Sequence, residues 1–135
     1  MNTNDHLNSN SQYICVMRKI YYLSTCDTCK RIIKQLALKE KGFVFQDIKT
    51  EKITGQQLDE MAEMSASYEA LFSRVAQKYK LLGLDKLSLK ETDYKNYILE
   101  EYTFLKRPVI IIDGQIFIGN SKANIESVSL VLSLV

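Results

Sequence analysis

Ile20-Tyr21-Tyr22-Leu23-Ser24-Thr25-Cys26-Asp27-Thr28-Cys29-Lys30-Arg31 is the stretch on which the fold turns. Its first four residues, aromatic and aliphatic, have the character of a β-strand. After Ser24-Thr25 the period changes. Ile32, Ile33, Leu36 and Ala37 recur at helical spacing, with Lys30, Lys34, Lys39 and Glu40 on the other face. A strand therefore runs straight into a helix, with a Cys-x-x-Cys pair at the junction. Gly42 is the predicted end of that helix, because glycine is favoured just past a helix C-terminus.

Working outward, Phe43 to Ile48 alternates in the manner of a second strand, which completes a βαβ unit. Thr54-Gly55 opens a helix predicted to run to about Met64, with Leu58, Met61, Ala62 and Met64 as its apolar members. Tyr68 to Phe72 reads as a short helical piece, and Leu81-Leu82-Gly83-Leu84 as a turn with apolar anchors. Glu91 to Tyr102 is a further predicted helix; its Tyr94, Tyr97 and Tyr102 are core or boundary residues with no assigned function. Val109 to Ile112, then Asp113-Gly114, then Gln115 to Ile118 is an antiparallel hairpin, since Asp-Gly is a preferred two-residue turn. The last helix starts near Lys122 and places Ile125, Val128, Val131, Leu132 and Val135 on one face, with Leu130 and Leu134 widening the stripe. The order βαβ then ββα, with Cys-x-x-Cys after the first strand, describes an α/β protein of thioredoxin-like fold. It has a four-stranded mixed sheet and a helical insertion between strands 2 and 3.

Composition agrees with one such domain. The chain has 135 residues, 46% of them hydrophobic and 25% charged, and no apolar run reaches the roughly 20 residues a membrane-spanning helix requires. Its net charge of +2 comes from interleaved signs, which disfavours an electrostatic nucleic-acid binder. Residues 1–16 are read as a disordered tail, polar and without periodicity, and residues 17–135 as the folded domain. The start of the chain has no signal-peptide pattern, and the three cysteines, Cys15, Cys26 and Cys29, are an odd number. A cytoplasmic protein is expected, in which a Cys-x-x-Cys pair is catalytic, redox-sensing or metal-binding rather than structural.

Cys26 stands at the mouth of a helix, where free N–H groups and the helix dipole favour its thiolate. Lys30 and Arg31 push the same way and Asp27 opposes them. Cys29, one turn further on, is placed to attack a mixed disulfide on Cys26 and resolve it. Two plainer readings compete, packed inert thiols and half of a zinc site; the second lacks ligands, because His6 and Cys15 lie in or near the tail. No metal is expected. Pro108, the only proline, precedes a predicted strand, where a cis peptide would bend the chain towards the cysteine loop. Arg107 would then project beside Cys26 to stabilise a thiolate or grip an oxyanion; its plainer role is to tie off the preceding helix.

The segments Ile20 to Cys29, Leu71-Phe72-Ser73-Arg74 through Leu84, and Leu105-Lys106-Arg107-Pro108-Val109-Ile110 together resemble the arsenate reductase (ArsC) and Spx family, from about Arg18 onward. The resemblance implies a thioredoxin-like fold, with Cys26 at the nucleophile position and Arg107 at the arginine before the proline. It also implies an arginine in the central segment, which falls on Ser73 with Arg74 beside it, and another after the last strand, where Ile118-Gly119-Asn120 has none. Thr25, Thr28, Arg74 and Pro108 complete the candidate substrate-binding set. Three readings follow. The first is a thiol-disulfide oxidoreductase with Cys26 as nucleophile, Cys29 as resolving thiol and Arg107 as stabiliser. The second is a glutathione- and glutaredoxin-dependent arsenate reductase acting on an oxyanion. The third, from the likeness of Cys29 to the second cysteine of Spx, is a redox-sensing regulator that binds RNA polymerase. No bound cofactor is called for, since no nucleotide-binding glycine loop is present; glutathione, glutaredoxin or thioredoxin would supply the reducing equivalents.

Overall fold

The computed structural model describes residues 17–134. The expected tail, with His6 and Cys15, lies outside them, as does Val135. Four strands, β1 (Arg18–Tyr22), β2 (Val44–Asp47), β3 (Val109–Ile112) and β4 (Gln115–Ile118), form one sheet in the order β2-β1-β3-β4. β1 runs parallel to β2 and antiparallel to β3, and β3 runs antiparallel to β4. The expected mixed sheet is therefore present. The Asp-Gly turn is also as expected: Asp113 (φ 49°) and Gly114 (φ 86°) both take the left-handed conformation that a tight hairpin requires.

Alternation along the strands divides the core in two. Ile20, Ile110 and Ile112 face one side, where α1 (Asp27–Gln35) and α5 (Lys122–Leu134) cover them with Ile32, Ile33, Ile125 and Val128. Tyr21, Val109 and Ile111 face the other side, under the insertion. That insertion comprises α2 (Gly55–Ser65), the short α3 (Gln77–Leu81), α4 (Glu91–Glu100) and intervening 3-10 turns. Its core includes Leu58, Met61, Phe72, Leu84, Ile98 and Phe104.

Three local expectations need correction. The first helix stops at Gln35 rather than at Gly42. Ala37 turns left-handed (φ 52°), and a 3-10 turn over Leu38–Glu40 follows. Residues two apart on a helix point to nearly opposite faces, whereas this reversal lets Leu36 and Leu38 enter the same core. On α5, Leu130 and Leu134 are exposed, since each lies two residues beyond a buried position, Val128 and Leu132. In the turn over residues 81–84 only Leu84 is an anchor; Leu81 and Leu82 face solvent.

The start of α2 ties the insertion to the sheet. Thr54 Oγ1 accepts from the Gln57 amide at 3.0 Å, and Gln57 Oε1 accepts from the Thr54 amide at 3.1 Å, a reciprocal capping box. Gln57 Nε2 also donates to Oε1 of the buried Gln46 on β2 at 2.8 Å. Thr54→Ala is expected to cost about 1 kcal/mol through loss of the cap. Gln57→Ala is expected to cost more, about 2 kcal/mol, because it also strips a partner from a buried amide. Urea denaturation of the two variants checks the order.

Candidate active site

Cys26 is the N-cap residue of α1, with extended backbone (φ −96°, ψ 113°). Its amide donates to Leu23 O at 3.0 Å, closing a tight turn out of β1. The end of β2 braces this turn, because Asp47 Oδ1 accepts from the Ser24 amide at 3.3 Å. Cys29 lies one turn into α1 and is buried, whereas Cys26 is partly exposed; both are free thiols.

The second wall of the site comes from two segments distant in sequence. The Ser73 amide donates to Phe104 O at 2.7 Å, the Lys106 amide donates to Leu71 O at 2.8 Å, and Phe72 and Leu105 form an antiparallel bridge. This pairing brings Arg74 and Arg107 to one cavity of about 420 Å³, which Cys26 also lines. The Arg107–Pro108 peptide is cis, and Gly119 donates its amide to Pro108 O at 2.8 Å, so Gly119 and Asn120 form a further wall.

Residues 21–128 match the ArsC family. The chain belongs to the ArsC family. It is similar to an uncharacterised protein of Haemophilus influenzae, at 28% identity over 104 residues, 76% of this chain and 90% of that one. Among solved structures it resembles an arsenate reductase (ArsC) related protein from Brucella melitensis, at 25% identity and TM-score 0.65 over 83% of this chain and 93% of that one. It also resembles a possible arsenate reductase from Streptococcus mutans, at 25% identity and TM-score 0.67, covering 84% and 98%. These likenesses agree with the thioredoxin-like fold. As an ArsC-family member the protein is a thiol-dependent oxidoreductase.

In this ArsC-family chain the two thiols differ sharply. Burial alone would push the Cys26 thiol up, but the amide and thiol of Cys29, the amide of Thr28 and the charge of Arg107 outweigh it and hold it below its ordinary value. The amides lie towards Cys26 Sγ without closing a strict capping hydrogen bond. Burial drives Cys29 the other way, to about 11, and the neighbouring negative charge of Cys26 adds to the rise. The charge acting on Cys26 is that of Arg107 rather than of Lys30 and Arg31, which turn along the helix surface. Lys30 lies 3.9 Å from Asp27, and Arg31 donates to Gln35 Oε1 at 3.3 Å.

Arg107 Nη1 donates to Thr103 O at 3.5 Å, beyond the end of α4, while its buried Nε has no partner among the described residues. Arg74 is held at the rim by Glu69 Oε2 at 2.7 Å and the Tyr94 hydroxyl at 3.0 Å. Thr25, Thr28 and Pro108 are not among the residues lining the cavity. Phe72, Leu105, Gly119 and Asn120 line it too; Phe72 and Leu105 belong to the segments that carry Arg74 and Arg107, and Gly119 and Asn120 to the stretch after β4 where the resemblance implies a further arginine. Among the described residues no group of three His, Cys, Asp or Glu side chains is arranged to hold a metal ion. No helix among them is long and apolar enough to cross a membrane.

Arg107→Ala should move the pH dependence of Cys26 reactivity. The thiolate is the reacting form, so the alkylation rate falls as pH falls through the Cys26 pKa. Arg107 lowers that pKa, so its removal should displace the whole profile to higher pH. Iodoacetamide modification followed by mass spectrometry across pH reads the displacement, and an unmoved midpoint would refute the coupling.

Proposed function

We propose that this protein is a cytoplasmic thiol-disulfide oxidoreductase in which Cys26 is the nucleophile, Cys29 the resolving thiol and Arg107 the anion stabiliser. The observation that carries the reading is the opposite bias of the two thiols, one lowered at a cavity and one raised beneath it. Cys26 thiolate attacks a partner disulfide, forming a mixed disulfide and expelling one partner thiolate. Cys29 then loses its proton and attacks Cys26 Sγ, expelling the second partner sulfur and leaving a Cys26–Cys29 disulfide. Once Cys26 is in the mixed disulfide its charge is gone, which removes one cause of the raised Cys29 pKa. Two electrons from glutathione, glutaredoxin or thioredoxin restore both thiols. Thiol-trapping mass spectrometry across glutathione redox buffers tests this: a reversible Cys26–Cys29 disulfide is expected, and two thiols that never pair would refute it.

The Arg107 Nε, unpartnered among the described residues, with Arg74 on the same cavity, supports a second reading: reduction of a tetrahedral oxyanion such as arsenate. That reading is supported further by the resemblance to the S. mutans and B. melitensis proteins. Arsenate-dependent oxidation of glutathione, lost in Arg107→Ala, is its expected signature. No arsenate-dependent oxidation by the wild type would eliminate it.

A further inference from the structure

The segment from Val75 to Leu87 exposes apolar side chains that the fold leaves uncovered. Val75 is 93% exposed, Leu81 79%, Leu82 56% and Leu87 56%, four of the eight exposed large hydrophobics among the described residues. The cause is local. α3 has no buried residue; Tyr79 packs on Phe72 at 5.9 Å between ring centres and Leu84 is buried, so these two hold the segment while the leucines face outward.

Two observations say what covers this surface. Val75 lines the same cavity as Cys26, so the apolar segment reaches the mouth of the redox site. The stretch from Val75 to Leu87 also carries three cations (Lys78, Lys80, Lys86) against one acid, Asp85, so these residues alone hold a balance of +2, as much as the whole chain. Arg74 and Lys78 are paired with Glu69 and Glu101, whereas Lys80 and Lys86 make no ion pair among the described residues. Four aliphatic side chains spread over thirteen residues exceed what a small thiol covers, and exposed apolar side chains interspersed with unpaired cations suit a protein interface.

We infer that residues 75–87 are the docking surface for a folded protein that exchanges disulfides with Cys26, its contact face combining apolar and acidic side chains. The inference rests on the thiol-exchange reading above and names the partner class for it. In the reducing direction a partner thiolate attacks the Cys26–Cys29 disulfide, which breaks as a mixed disulfide forms. A second partner thiol then displaces Cys26. The partner leaves oxidised by two electrons, and both thiols of this protein are restored.

The test compares reduction of the oxidised protein by dithiothreitol with reduction by a purified dithiol thioredoxin or glutaredoxin of net negative charge. The variant is Leu81→Glu/Leu82→Glu/Leu87→Glu, whose positions are exposed; a circular dichroism melt checks its fold. Reduction by the protein partner should slow about tenfold or more and should weaken further with added salt in the wild type, whereas the dithiothreitol rate stays within about twofold. Equal protein-partner rates in wild type and variant would overturn the surface. So would reduction of the wild type by dithiothreitol but by neither protein. Cosedimentation of the wild type with phosphatidylglycerol vesicles, lost in the variant, would overturn it in favour of a lipid. Failure to form the Cys26–Cys29 disulfide at all would instead sink the thiol-exchange reading itself.

Discussion

Cys26→Ser is expected to abolish thiol-dependent turnover, and Cys29→Ser to accumulate mixed disulfides on Cys26. The two outcomes differ because the thiols do. Cys26 is partly exposed and its pKa is lowered by the Cys29 and Thr28 amides and by Arg107, whereas Cys29 is buried and its pKa is raised. Serine at position 26 keeps the size of the side chain but supplies no accessible anion near neutral pH, so no first bond forms. Serine at position 29 leaves the first step intact and removes the second. Non-reducing mass spectrometry after exposure to glutathione disulfide distinguishes them. Full turnover by both variants would rule out the proposed mechanism, and turnover by Cys29→Ser alone would mean that an external thiol does the resolving.

Phe72→Ala is the substitution expected to cost most in stability, about 3–5 kcal/mol. Phe72 is fully buried, stacks on Phe104 at 5.1 Å between ring centres, and meets Tyr94 at 4.9 Å. Its removal leaves a cavity where the insertion joins the sheet. Its backbone bridge to Leu105 also lies between the contacts that hold Arg74 and Arg107 across one cavity. A fall in Tm of roughly 10–20 °C is expected for a domain of this size. Leu82→Ala, on an exposed side chain three residues beyond Tyr79, should stay within about 0.5 kcal/mol of the wild type. Similar losses in both variants would contradict the division into a buried hub and an outward-facing segment.

The pattern around Cys26 and Cys29 was legible because it is local. A strand period of two giving way to a helical period of 3.6 at a Cys-x-x-Cys pair is set by neighbouring residues, and so is the Asp113-Gly114 hairpin. The capping box at Thr54 and Gln57 is local too, although its second use, pairing with Gln46, is not. Helix length was misread at Gly42 because glycine marks an end wherever a chain turns left-handed. The actual end at Gln35 depends on Leu36 and Leu38 both reaching one core.

Apolar residues in the insertion carried no such signal. Leu81, Leu82 and Leu84 are alike in composition, yet only Leu84 is buried, because burial depends on what lies opposite and not on the residue itself. The charge acting on Cys26 follows the same rule. Lys30 and Arg31 are its neighbours in sequence, but Arg107 is the cation that faces it, delivered by hydrogen bonds between residues 71–73 and 104–106. Short-range patterning thus determined the strands, the hairpin, the position of the two thiols and the family resemblance. Tertiary structure alone decided which arginine reaches Cys26 and which leucines stay in water, since these depend on charge and packing between segments far apart in the chain.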